Sequence, residues 1–88
     1  LKHTLSHYYI RLSVKNKPGV LEQISLQFSE KSISIEKIIQ KESNSDSAEI
    51  VIITNNIPHQ HYLEVKEALT NLSVSNAIES SIRLYKNL

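Results

Sequence analysis

The sequence predicts an α+β sandwich of the ferredoxin-like type, a four-stranded antiparallel sheet carrying two helices on one face. Three observations lead there. Hydrophobic periodicity switches between two and about 3.6 in the order β-α-β-β-α-β. The only glycine, in VKNKPGV, falls at the first switch. A chain of 88 residues allows one core, burying about two thirds of its surface. Right-handed crossovers then put both helices on the same side of the sheet.

Residues 8–15, YYIRLSVK, alternate, with Tyr8, Ile10, Leu12 and Val14 on one face and Tyr9, Arg11, Ser13 and Lys15 on the other, as a half-buried strand does. From Pro18 the period lengthens. Val20, Leu21, Ile24 and Phe28 recur on one helical face, and Pro18 suits the first helical position, where a missing N–H costs nothing. Residues 33–41, ISIEKIIQK, are β-branched and extended; the adjacent Ile38 and Ile39 predict a bulge or a strand buried on both faces. ESNSDS is a polar turn, and residues 48–54, AEIVIIT, form a central strand. Beyond Pro58, Tyr62, Val65, Ala68, Leu69 and Leu72 mark a second helix over 59–72. Ile78, Ile82 and Leu84 mark a last strand within 74–85.

One face of this sheet is left uncovered, yet Ile50, Val51, Ile52 and Ile53 are consecutive. Half of them must face outward. Tyr9, Arg11, Val51 and Ile53 are therefore the candidate oligomer interface, although scattered exposed aliphatics are also ordinary.

Ten basic residues against nine acidic ones leave a net charge of +1, which solubilises the chain without suggesting nucleic acid as a partner. The ferredoxin-like order also suits an RNA-binding module, but such modules stack bases on aromatics of the two central strands, and AEIVIIT has none. With no cysteine, disulfides and thiolate chemistry are excluded. No apolar run approaches the roughly 18 residues of a membrane span, so no membrane partner and a soluble, cytoplasmic setting are expected. The chain opens on Leu1 and has no methionine. It is expected to be a piece of a longer protein, with residues 1–7 the remnant of a linker and 8–88 the domain.

No catalytic constellation stands out. Asp46 is the only aspartate and lies in the serine-rich turn, so no carboxylate pair is indicated. His3 and His7 have helical metal-pair spacing but lack a third ligand, and His59 and His61 diverge; all four read as solvent-exposed or capping. Three glycines make a dinucleotide fingerprint, and one is present. No catalytic residue, metal or cofactor is expected in this domain.

The glycine sits where the first strand becomes the first helix. A helix start exposes unpaired N–H groups and partial positive charge, which suit a carboxylate. Asn16 offers a donor and an acceptor beside it, so the turn could hold a free amino acid. Pro-Gly also serves as a plain strand-to-helix turn.

YYIRLSVKNKPGVLEQIS, ISIEKIIQK, AEIVIIT and SIRLY together resemble the ACT domain, a small regulatory module of amino-acid metabolism. More narrowly, they resemble the C-terminal ACT domain of bacterial homoserine dehydrogenases. The resemblance implies an upstream catalytic domain reducing aspartate semialdehyde with NAD(P)H, feedback control with threonine as the expected effector, and pairing of two copies into an eight-stranded sheet. It places Asn16, Pro18, Gly19, Val20 and Leu21 on one wall of an effector site and Ser34 and Ile35 of a second copy on the other. Aspartate often stands in the family where this chain has Asn16, and asparagine in some members where it has Ser34. A ligand-free oligomerisation module of that or another amino-acid-pathway enzyme, such as phosphoglycerate dehydrogenase, is the alternative.

Overall fold

The computed structural model describes residues 5–42, 45–72 and 75–84, with Glu42 and 75–84 described by their backbone alone. Seven elements follow in order: β1 (Leu5–Lys15), α1 (Val20–Glu30), β2 (Ile35–Glu42), β3 (Ser47–Thr54), β4 (Ile57–Pro58), α2 (His59–Thr70) and β5 (Ser75–Leu84). Apart from the two-residue β4, this is the expected β-α-β-β-α-β order.

All strand pairs are antiparallel. β1 lies between β3 and β5, and β2 flanks β3. Strict alternation gives β1 and β3 their two faces. Tyr8, Ile10, Leu12 and Val14 of β1 and Ala48, Ile50 and Ile52 of β3 are buried together with Val20, Ile24 and Phe28 of α1 and Tyr62, Val65 and Leu69 of α2. Each large aliphatic in that layer contributes about 1.5–3 kcal/mol relative to exposure. The opposite face carries Tyr9, Arg11, Val51 and Ile53, all half-buried.

Strand β1 starts at Leu5, three residues ahead of the expected Tyr8, because Leu5 and Ser6 pair with Pro58 and Ile57 of β4. Where the β1–β3 ladder ends, side chains take over. The Tyr8 N–H donates to Thr54 Oγ1 at 3.0 Å, and His7 Nδ1 donates to the Thr54 carbonyl at 2.7 Å. Buried Thr54 thus keeps its polar groups satisfied.

Two local expectations need correction. Pro18 is not the first helical residue: Gly19 is the N-cap with φ 86°, a left-handed conformation that cannot join a right-handed helix, so α1 begins at Val20. The bulge in β2 falls between Ile35 and Lys37 rather than at Ile38 and Ile39. These two isoleucines are 36% and 45% exposed; β2 is an edge strand and is not buried on both faces.

Candidate functional site

The turn from β1 to α1 is built from four backbone features. The Asn16 N–H donates to the Asp46 carbonyl at 2.9 Å, tying this turn to the one between β2 and β3. The Lys17 N–H donates to the Lys15 carbonyl at 3.2 Å, folding the chain back on itself. Gly19 then takes its left-handed conformation, and the Gln23 N–H donates to the Gly19 carbonyl at 3.1 Å as the first helical bond. No side chain caps the helix start, so the N–H groups of the first turn point out of the helix end. Among the described residues, a Cβ placed on Gly19 would meet nothing nearer than Glu22 Oε1, at 4.0 Å.

Asn16 is half-buried, Pro18, Gly19 and Leu21 are exposed, and Val20 turns its side chain into the core. Val20 can therefore face a ligand with its backbone only. Leu21, read from the sequence as part of the core stripe, is 37% exposed. Val20, Ile24 and Phe28 take the core positions at intervals of four, which leaves Leu21, Ser25 and Ser29 on the neighbouring outward stripe. With Glu22 and Leu26 they line a shallow depression running along α1 from its first turn.

Ser34 and Ile35 lie elsewhere. Ile35 pairs with Thr54 at one end of the sheet, whereas Lys15 pairs with Ser47 at the other. At the strand rise of about 3.3 Å per residue, roughly 20 Å separate the two walls within one chain. Ser34 is exposed and gives its carbonyl to the Asn55 N–H at 3.0 Å. One copy brings Asn16, Pro18, Gly19 and Leu21 together and leaves Ser34 and Ile35 apart.

Asp46 went unnoticed as a neighbour of this turn. Its signal was topological, since an antiparallel β2–β3 turn returns the chain to the end where β1 stops.

On the open face, Tyr9 stands opposite Ile53 and Arg11 opposite Val51. Across β3, Val51 faces Ile39 and Ile53 faces Lys37. Arg11 Nη1 donates to Glu49 Oε2 at 2.7 Å, placing a charged pair beside the aliphatics.

His7 and His59 are held by hydrogen bonds. His7 Nδ1, bonded to Thr54, is also 3.2 Å from Glu36 Oε1, and His59 Nδ1 shares a 3.1 Å hydrogen bond with the Tyr8 hydroxyl. His7 is thus half-buried and bonded rather than solvent-exposed; His3 lies outside the described residues. Among the described residues no three metal-type side chains converge.

A small antiparallel α+β sandwich with both helices on one face and an open turn leading into its first helix defines a ferredoxin-like module. The match is to the ACT domain, over residues 8–74, and the chain belongs to that family. A homoserine dehydrogenase of Neisseria gonorrhoeae is 33% identical over 92% of this chain and 18% of its own length. The structure of a homoserine dehydrogenase from Thiobacillus denitrificans superposes with a TM-score of 0.82 at 26% identity, covering 97% of this chain and 19% of that one. The ACT domain of a GTP pyrophosphokinase from Chlorobium tepidum superposes at 0.60 with 18% identity, covering 92% of this chain and all of that one, a likeness of fold. The chain spans about a fifth of the homoserine dehydrogenases it matches. An ACT domain is regulatory rather than catalytic, and no cofactor belongs to it.

Proposed function

We propose that this chain is the amino-acid-sensing domain of a homoserine dehydrogenase, and that two copies build each effector site between them. The observation that carries the reading is the β1–α1 turn: Gly19 leaves its outer side bare, the helix start has no side-chain cap, and Asp46 fixes the turn from behind. A carboxylate suits the free N–H groups of the first turn, and the Asn16 side chain suits the neighbouring ammonium. Ser34 and Ile35, at the far end of their own sheet, come from the partner.

Threonine is the proposed effector. The parent reaction is the NAD(P)H-dependent reduction of aspartate semialdehyde to homoserine in the cytoplasm, with NAD(P) held by an upstream catalytic domain. Control works through differential affinity of the effector for two arrangements of the dimer.

Isothermal titration with L-threonine, isoleucine, methionine, serine and lysine, with the mass in solution recorded in the same buffer, tests this. Saturable binding by a dimer, lost in Asn16→Ala, is the expected result. A dimer that binds none of them overturns the sensing role.

The second reading is a ligand-free assembly module. It is favoured by the aliphatic patch on the open face, where half-buried Tyr9, Val51 and Ile53 adjoin exposed Ile39, with Arg11 on the other side of Val51.

A further inference from the structure

The proposed site leaves the histidines unused, yet His7 of β1 reaches both β3 and β2. Its Nδ1 donates to the Thr54 carbonyl at 2.7 Å and lies 3.2 Å from Glu36 Oε1. Because β3 runs between β1 and β2, the contact with Glu36 passes over β3, on the open face that His7 shares with Tyr9. The His7 side chain is 15% exposed and that of Glu36 53%.

Glu36 is in reach because of the β2 bulge. Ile35 pairs with Thr54 and Lys37 with Ile53, so two residues of β2 are spent on one of β3, and Glu36 is the extra one. A bulge re-aims a side chain. Here it lets Ile35 pack against the core while the Glu36 carboxylate crosses to His7. Ser34 and Ile35, the residues of the proposed partner-side wall, immediately precede this clasp. Their backbone is held by the Asn55 N–H, which donates to the Ser34 carbonyl at 3.0 Å, and by the pairing of Ile35 with Thr54. Thr54 is itself held by His7 and by the Tyr8 N–H. The clasp fastens the remaining end of the wall.

Its strength depends on the charge of the ring. An imidazolium meets the Glu36 carboxylate as an ion pair, whereas a neutral ring gives its Nδ1–H to the closer Thr54 carbonyl and offers Glu36 no charge. Among the described residues, the other titratable or charged groups on this part of the open face are Tyr9, two residues along β1, and Lys37, opposite Ile53. From β3 only the Thr54 carbonyl meets the ring, and the residue of β5 in register with His7 is Leu84.

We propose that His7 and Glu36 are positioning residues of the effector site, and that the charge of His7 couples effector binding to pH. The inference rests on the two-copy site proposed above, whose Ser34 and Ile35 the clasp holds in place. When only the clasped arrangement accepts the effector, apparent affinity falls by the fraction of chains that lack it. The clasped arrangement favours the bound proton, so linkage makes effector affinity rise as pH falls. A part-exposed ion pair shifts such an equilibrium by no more than about fivefold.

Two measurements on the 88-residue chain separate this inference from the reading beneath it. His7→Asn keeps an N–H for Thr54 but cannot carry charge, and Glu36→Gln keeps the shape of the side chain and removes its charge. Both variants and the native chain are compared at about pH 6 and about pH 8, which bracket ordinary imidazole titration. First, without any amino acid, hydrogen exchange of the Asn55 amide reads how firmly Ser34 is held. It should be about two- to fivefold faster in both variants at the lower pH and equal in all three at the higher. Second, calorimetric titration with L-threonine, isoleucine, methionine, serine and lysine should show about three- to fivefold tighter binding at the lower pH in the native chain. Most of that ratio should be lost in both variants. Equal Asn55 exchange at the lower pH overturns the clasp. Affinity that is independent of pH in the native chain, or that keeps its full dependence in both variants, overturns the coupling. Exchange as expected with no amino acid bound retains the hold on Ser34 and discards the sensing role, whereas binding untouched by pH or by either substitution does the reverse.

Discussion

The ring of Tyr8 lies on the ring of Tyr62, with centroids 4.1 Å apart and planes 7° from parallel, and so fastens β1 to α2. His59 adds a hydrogen bond to the Tyr8 hydroxyl and Lys66 stands 5.8 Å from the Tyr62 centroid. Both tyrosines are buried. Tyr62→Ala should destabilise the domain by about 3–5 kcal/mol, as removal of a buried aromatic does. Tyr8→Phe keeps the stack and loses the bond to His59, at about 1 kcal/mol. Urea unfolding of both variants checks the ordering, and a Tyr8→Phe cost equal to that of Tyr62→Ala would contradict it.

Gly19→Ala should cost about 1–2 kcal/mol through its left-handed backbone alone, because the added Cβ has open space around it. Gly19→Asn should cost less, since asparagine tolerates that region. The same denaturation series reads both. A large side chain here would perturb the turn before it blocked a ligand, so Gly19→Asn is the better companion to titration.

If the effector walls come from different copies, Asn16→Ala and Ser34→Trp should each fail to bind alone. An equimolar mixture allowed to exchange should recover roughly a quarter of the sites, those in which both intact walls meet. Titration of the mixture gives that fraction directly. No recovery would place both walls in one chain.

The Arg11–Glu49 pair is close, at 2.7 Å, but its side chains are 41% and 22% exposed. Glu49→Gln should cost no more than about 1 kcal/mol, with the difference shrinking in salt. Thermal melts at two ionic strengths check it.

Most of the fold was legible because period is a local property. The alternation of residues 8–14 and the spacing of Val20, Ile24 and Phe28 follow from which atoms water must leave. The start of β1 was not, because Leu5 and Ser6 are held by Ile57 and Pro58, more than fifty residues along the chain. Pro18 misled for a different reason: it fits a first helical turn, but the conformation of the next residue decides where that turn begins. At the candidate site the residues of the turn could be named from sequence, while Asp46 and the outward stripe of Leu21 and Ser25 depended on tertiary placement. Ile38 and Ile39 announced an anomaly whose meaning lay in β2 being an edge.

The position of β1 between β3 and β5 has a kinetic consequence. Among the described strands the first pairs with the last, the register of β1 with β5 running from His7 with Leu84 to Val14 with Ser75. Contacts of such long sequence separation slow folding. On the ribosome, β1 can find β3 early but waits with its other edge open until Ser75–Leu84 has emerged. The β1–β5 half of the sheet therefore closes only after Ser75–Leu84 has been synthesised.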